Sequence, residues 1–148
     1  MQIEAVTSVT PELVEAFARL LPQQSKGARH PTAQQLTAIV EAQGHSLLIA
    51  RDADGTIVGT LTLVILLTPG ATFGFVEDVV VDGAARRQGI GEGLVNECLR
   101  LALEQGARRV ELHSGNHRPD AIRLYQRLGF KKFETNVFRH IHEEPPKA

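Results

Sequence analysis

Residues 79–91 read Val-Val-Val-Asp-Gly-Ala-Ala-Arg-Arg-Gln-Gly-Ile-Gly, and they constrain the fold more than any other part of the chain. A valine run favours an extended strand, and the Asp82-Gly83 that follows is turn chemistry. Beyond the turn, Ile90, Leu94, Cys98 and Leu101 recur at helical spacing until Gly106. A strand therefore feeds a helix through a short basic turn. The first amides of such a helix have no partner within it, and its dipole favours negative charge, so the turn suits phosphate oxygens. The lysine-serine or lysine-threonine end of a nucleotide P-loop is absent, as is the three-glycine dinucleotide fingerprint, which argues against a triphosphate or NAD site. Two glycines one residue apart also fit a tight turn that binds nothing, and the loop alone does not separate these readings.

The flanking sequence alternates strands and helices. Residues 3–6 form a short strand, and Thr10-Pro11 offers a capping hydroxyl and a proline at the first helical position. That helix runs to about Leu21, where Pro22 ends the pattern, and the polar residues 23–29 make a loop. A second helix is expected from Thr32 to Gln43, and a hairpin from residues 46–50 and 56–67 around Asp52-Ala53-Asp54-Gly55. A third strand over residues 73–81 carries the adjacent acids Glu77 and Asp78, which a regular strand would point to opposite faces. After the helix come a strand at residues 109–113, a polar loop, a helix at about residues 120–128, and a last strand or hairpin within residues 132–142. Residues 143–148 read as a frayed tail.

The 148 residues suit one domain spanning 1–148, since domains commonly run to about 100–150 residues. A formal net charge of −1 gives no global field for nucleic acid or an anionic membrane. The most apolar stretch, residues 61–67, falls far short of the ~20 residues of a membrane helix. With no signal-like start and a single cysteine, Cys98, the chain reads as cytoplasmic. Cys98 lies on an apolar helical stripe and reads as packed rather than nucleophilic. His140 and His142 could share a strand face, but no third ligand stands at a recognised spacing, so no metal is expected.

Arg86-x-x-Gly89-x-Gly91 after a valine-rich strand resembles the pyrophosphate-binding motif of the GNAT N-acetyltransferase superfamily. Residues 121–130, Ala-Ile-Arg-Leu-Tyr-Gln-Arg-Leu-Gly-Phe, resemble that family's downstream helix. The resemblance covers residues 46–139 and implies an α/β fold: a mixed, mainly antiparallel twisted sheet of six or seven strands with helices on both faces. It implies acetyl-CoA as co-substrate, with the amides of Arg87, Gln88, Gly89, Ile90, Gly91 and Glu92 on its pyrophosphate and the backbone of Val79 and Val81 along its pantetheine arm. It gives Tyr125 the role of general acid toward the leaving thiolate. An alkylammonium with a pKa of about 10.4 must lose a proton before attack. The strand of Glu77 and Asp78 resembles that of polyamine and glucosamine-phosphate acetyltransferases, which assigns Glu77 as base and Asp78 to acceptor binding.

One departure concerns the asparagine that many members carry just before the downstream helix. Arg118 stands there instead, with Asn116 two residues earlier, and either could contact the cofactor. The acceptor implied is a small-molecule primary amine. An amino-sugar phosphate is the alternative, with Lys26, Arg29 and Arg139 as cationic partners. A rival of another class is a non-catalytic acyl-CoA-binding module. The resemblance and an exposed C-terminal strand edge are both compatible with a homodimer.

Overall fold

The structure, a computed structural model, describes residues 1–27 and 29–143; of the expected frayed tail, residues 144–148 lie outside them. The chain forms β1 (Gln2–Ala5), α1 (Pro11–Gln24), α2 (Ala33–Glu41), β2 (His45–Arg51), β3 (Ile57–Thr68), β4 (Ala71–Val81), a 3-10 turn (Gly83–Ala85), α3 (Ile90–Glu104), β5 (Val110–Leu112) and α4 (Pro119–Arg127). Thr10 caps α1 by accepting from the Leu13 amide at 3.2 Å. Pro22 sits inside the last turn of α1 rather than ending it. Proline removes only its own N–H, and the turn is still closed by the Ser25 amide, which donates to the Leu21 carbonyl at 3.3 Å. A reciprocal capping box between Thr32 and Gln35 starts α2.

The sheet order is β1-β2-β3-β4-β5. The first three pairings are antiparallel and the last, β4 with β5, is parallel. Side chains alternate across this sheet. Leu48, Ala50, Leu61 and Leu63 join α3 residues such as Leu94 and Cys98 in one buried cluster, while Leu47, Ile49, Ile57 and Val80 meet Leu13, Phe17, Leu20 and Leu36 of α1 and α2 in another. Helices thus cover both faces, as expected. Buried Thr60 satisfies its hydroxyl by donating to the Leu48 carbonyl at 2.9 Å.

Five strands form among the described residues, fewer than the six or seven expected. The missing element is the C-terminal one: residues 130–143 adopt no regular structure. Their alternating pattern gives a strand its faces, but a strand also needs a neighbour to bond to, and residues 131–143 are all exposed.

Candidate active site

β4 and β5 stay together for only three pairs, Gly74 to Val110, Phe75 to Glu111 and Val76 to Leu112. Past Val76 the two strands part, leaving residues 77–81 of β4 without a β5 partner. A sheet that opens this way exposes unpaired main-chain donors and acceptors inside the fold. The opening is a cleft of about 400 Å³, lined by Glu77, Asp78, Val79, His113, Arg118 and Tyr125, with Gln24 and Ser25 from the end of α1.

A bulge shapes the β4 wall. Thr60 pairs with Val80 and Thr62 with Glu77, so Asp78 and Val79 together face Leu61. Asp78 takes the extra residue's conformation, φ 51°, in the left-handed region. The regular alternation expected of Glu77 and Asp78 is thereby lost. Both are exposed and both line the cleft, rather than one pointing away.

At the far end of the unpaired segment lies the basic turn. Asp82 caps the 3-10 turn by accepting from the Ala84 amide at 3.1 Å. Arg87 (φ 65°) and Gly89 (φ 78°) are both left-handed, and Gly89 precedes α3 with no side chain capping the helix start. The amides of Ile90, Gly91 and Glu92 thus belong to an uncapped first turn. Arg86, Arg87 and Gln88 are exposed around it. From α1, Arg19 reaches over to bond Asp82 at 2.8 Å and the Ile57 carbonyl at 2.9 Å. Gln23 accepts from the Gly83 amide at 2.9 Å. These two residues fix the strand end that starts the turn, and their lone polar side chains on a helix gave no sequence signal for it.

Tyr125 is half-buried on α4, its ring edge-on to Phe130 at 5.7 Å. Burial pushes its phenol above the ordinary tyrosine range, with Arg118 pulling weakly the other way, so the proton is held at neutral pH. The helix that carries it is tied to α3 by Arg127, 3.3 Å from Glu92. Closer packing comes from Gly91, where a Cβ would stand 3.2 Å from Leu124.

Arg118 is brought to the cleft and Asn116 is not, being exposed in the loop before α4. The Arg118 guanidinium donates to the Gln24 carbonyl, joining the end of α1 to the start of α4. Arg29 and Lys26 lie exposed between α1 and α2, and Arg139 lies on the C-terminal segment; none of the three lines the cleft. His113 was given no role by sequence, yet it lines the cleft, its ring edge-on to Phe75 at 5.0 Å. Its place one residue past β5, opposite Glu77 in the continued register, is legible only once the β4–β5 pairing is known. Cys98 is fully buried, and burial pushes its thiol up to about 12, which leaves it inert. Among the described residues no group of three or more His, Cys, Asp or Glu side chains is placed to hold a metal ion. No helix among them is long and apolar enough to cross a membrane.

The chain thus folds as a mixed sheet that opens between two parallel strands, beside a helix whose uncapped start receives a basic turn. Residues 11–130 match the Acetyltransferase (GNAT) family, and the chain belongs to it. A putative acetyltransferase from Agrobacterium tumefaciens superposes with a TM-score of 0.81 at 24% identity, covering 95% of this chain and 100% of that one. An aminoglycoside acetyltransferase from an uncultured soil metagenomic sample, in complex with sisomicin, gives a TM-score of 0.81 at 20% identity over 97% of this chain and 96% of that one. In sequence, glucosamine 6-phosphate N-acetyltransferase of Trypanosoma brucei brucei is 32% identical over 86 residues, 56% of this chain and 56% of that protein. Human N-acetyltransferase 8 is 43% identical over 58 residues, 39% of this chain and 26% of that protein. The chain thus spans from about a quarter to somewhat over half the length of these curated relatives.

Proposed function

We propose that the protein is an acetyl-CoA-dependent N-acetyltransferase that acetylates a primary amine of a small molecule by direct transfer. The observation that carries this reading is the parting of β4 and β5, which brings Glu77 and Tyr125 to one cleft joined by residues 79–81 to the basic turn. The turn fits a pyrophosphate: two left-handed residues and an uncapped helix start offer amides to an anion. In this reading the amides of residues 87–92 hold the pyrophosphate, and the unpaired main chain of Val79 and Val81 accepts the pantetheine arm as an added strand. Arg118, turned toward Gln24, serves the acceptor side rather than the phosphates.

When bound, acetyl-CoA supplies the thioester carbonyl. Glu77 takes a proton from the acceptor ammonium, directly or through water, and Asp78 orients the amine. The Val79 amide, at the bulge, polarises the carbonyl oxygen. As the C–N bond forms and the C–S bond breaks, the Tyr125 phenol gives its proton to the sulfur, and the second proton shed by the acceptor nitrogen restores the phenol. His113, at the end of β5, lines the same cleft from the opposite wall. The single free and buried cysteine fits the cytoplasm, where we place the activity.

A second reading within the same chemistry is an amino-sugar phosphate acceptor. It is favoured by the resemblance to a glucosamine 6-phosphate N-acetyltransferase and by the cationic Arg118 in the cleft. Calorimetric titration with acetyl-CoA, followed by thiol release over a panel of amines, amino sugars, polyamines and peptides, tests both. Binding with turnover on one group identifies the acceptor class. Binding without turnover on any would favour a non-catalytic acyl-CoA-binding module, and no binding would refute the cofactor assignment.

A further inference from the structure

The two walls of the cleft carry opposite charge. Glu77 and Asp78 stand on the β4 wall, where the bulge leaves both of them lining the cleft. Opposite them, the loop after β5 contributes His113, Ser114, His117 and Arg118. Arg118 is the one arginine or lysine among the described residues that lines the cleft. The two signs do not cancel each other within the protein: neither carboxylate is bonded to Arg118, whose side chain instead meets Gln24 and His117.

Arg118 is held in place for a ligand. Its amide donates to the Gly115 carbonyl at 3.0 Å, closing the turn that precedes α4. His117 folds back over Gly115, where a Cβ would stand 2.5 Å from the imidazole, so only glycine makes room for it. From there His117 Nε2 accepts from Arg118 Nε at 3.4 Å, while Arg118 Nη2 donates to the Gln24 carbonyl. These bonds leave Nη1 without a partner among the described residues, and a guanidinium fork suits a planar carboxylate. The charge is also felt next to the proposed chemistry: burial raises the Tyr125 phenol, and Arg118 draws it partly back.

We infer that the acceptor is a small zwitterion, an amine that also carries a carboxylate, with its ammonium at Glu77 and Asp78 and its carboxylate at Arg118. This rests on the proposed reaction and narrows its acceptor. A plain alkylammonium would satisfy the β4 wall only, leaving the half-buried guanidinium unmet and repelled by the incoming cation. A phosphate dianion would set two negative charges against a single guanidinium in a cleft that already holds two carboxylates. One ammonium and one carboxylate give each wall its opposite sign. Arg118 is then the residue that determines specificity, and Gly115 and His117 position it.

The test follows thiol release from acetyl-CoA with straight-chain ω-amino acids, from glycine to aminohexanoate, each beside the alkylamine with the same number of carbons. At one chain length or more, the amino acid is expected to exceed its alkylamine in kcat/KM by about 10- to 100-fold, the worth of one charge-assisted hydrogen bond. Arg118→Gln should bring the two acceptors level, and Arg118→Lys, which keeps the charge but not the fork, should leave an intermediate ratio. Both acceptors are read on the same protein, so any loosening of the tie between α1 and α4 cancels in the ratio. Three results would each overturn the inference while the proposed reaction stands: alkylamines equal to amino acids at every length, a ratio unmoved by Arg118→Gln, or glucosamine 6-phosphate preferred to every amino acid. Absence of thiol release with every acceptor would overturn both.

Discussion

Gly89 and Gly106 bracket α3 and form a matched pair for testing what the basic turn does. Both are left-handed, φ 78° and 89°, and at neither would an added Cβ meet any atom within 4 Å. Alanine at either position therefore pays only for backbone conformation. A left-handed alanine costs about 1–2 kcal/mol, partly offset by the ~0.4–1 kcal/mol gained from a less flexible unfolded chain. A net loss of about 1 kcal/mol lowers the melting temperature by roughly 2–4 °C in a chain of this size. The two variants should match in this respect. They should differ in ligand binding, because only Gly89 sets the direction of the first amides of α3. A hydrogen bond to a charged phosphate is worth about 1.5–3 kcal/mol, so misaligning one amide weakens acetyl-CoA by about 10- to 100-fold. Thermal denaturation without ligand and calorimetry with acetyl-CoA separate the two effects. Equal acetyl-CoA affinity in both variants would refute the placement of the pyrophosphate, and unchanged melting in both would refute the conformational argument.

Tyr125→Phe should lower kcat by about a hundredfold while calorimetry finds acetyl-CoA affinity unchanged; a matching loss of affinity would make the phenol a binding group instead. Because burial raises the Tyr125 pKa, the stability tied to its phenol is full below the unfolded value of about 10 and is lost as pH rises through the folded value. Urea unfolding between about pH 9 and 11 should show this alkaline decline in wild type and a shallower one in Tyr125→Phe. Glu77→Gln should reduce kcat/KM by about a hundredfold near neutral pH, with the deficit shrinking as pH nears the amine pKa of about 10.4; a pH-independent deficit would argue against a base. Cys98→Ala should leave turnover intact and cost about 1 kcal/mol in denaturant unfolding, and the native thiol should resist alkylation until the protein unfolds.

The elements visible in sequence are those whose signals are local. Thr10-Pro11 marked α1, Thr32 marked α2, and the valine run with the Arg86–Gly91 spacing marked the turn into α3. What could not be read depends on pairing. The bulge at Asp78 arises from the register of β3 against β4, which the string Glu77-Asp78 does not encode, so the two carboxylates seemed to face apart. His113 became a cleft residue only through the parallel register of β5. The alternation in residues 132–142 suggested a strand that the structure does not form, because alternation carries no information on where a partner lies. Cationic candidates chosen by charge alone, Arg29 and Arg139, stand off the cleft, whereas Arg118 was placed by its position at the start of α4.

The reach of α1 across to the basic turn has a consequence for binding. Arg19 and Gln23 grip Asp82 and Gly83, and the very next residues of the same helix end, Gln24 and Ser25, form a wall of the cleft where the amine is to sit. In the proposed reading, adjacent residues at one helix end thus hold both the cofactor's turn and the acceptor's wall. Steadiness that acetyl-CoA gives the turn then passes, in that reading, through this helix end to the amine's wall, and linkage requires the amine to act back by the same factor. Such coupling predicts that each substrate raises the affinity of the other, and that this effect erodes when Arg19 is shortened to alanine.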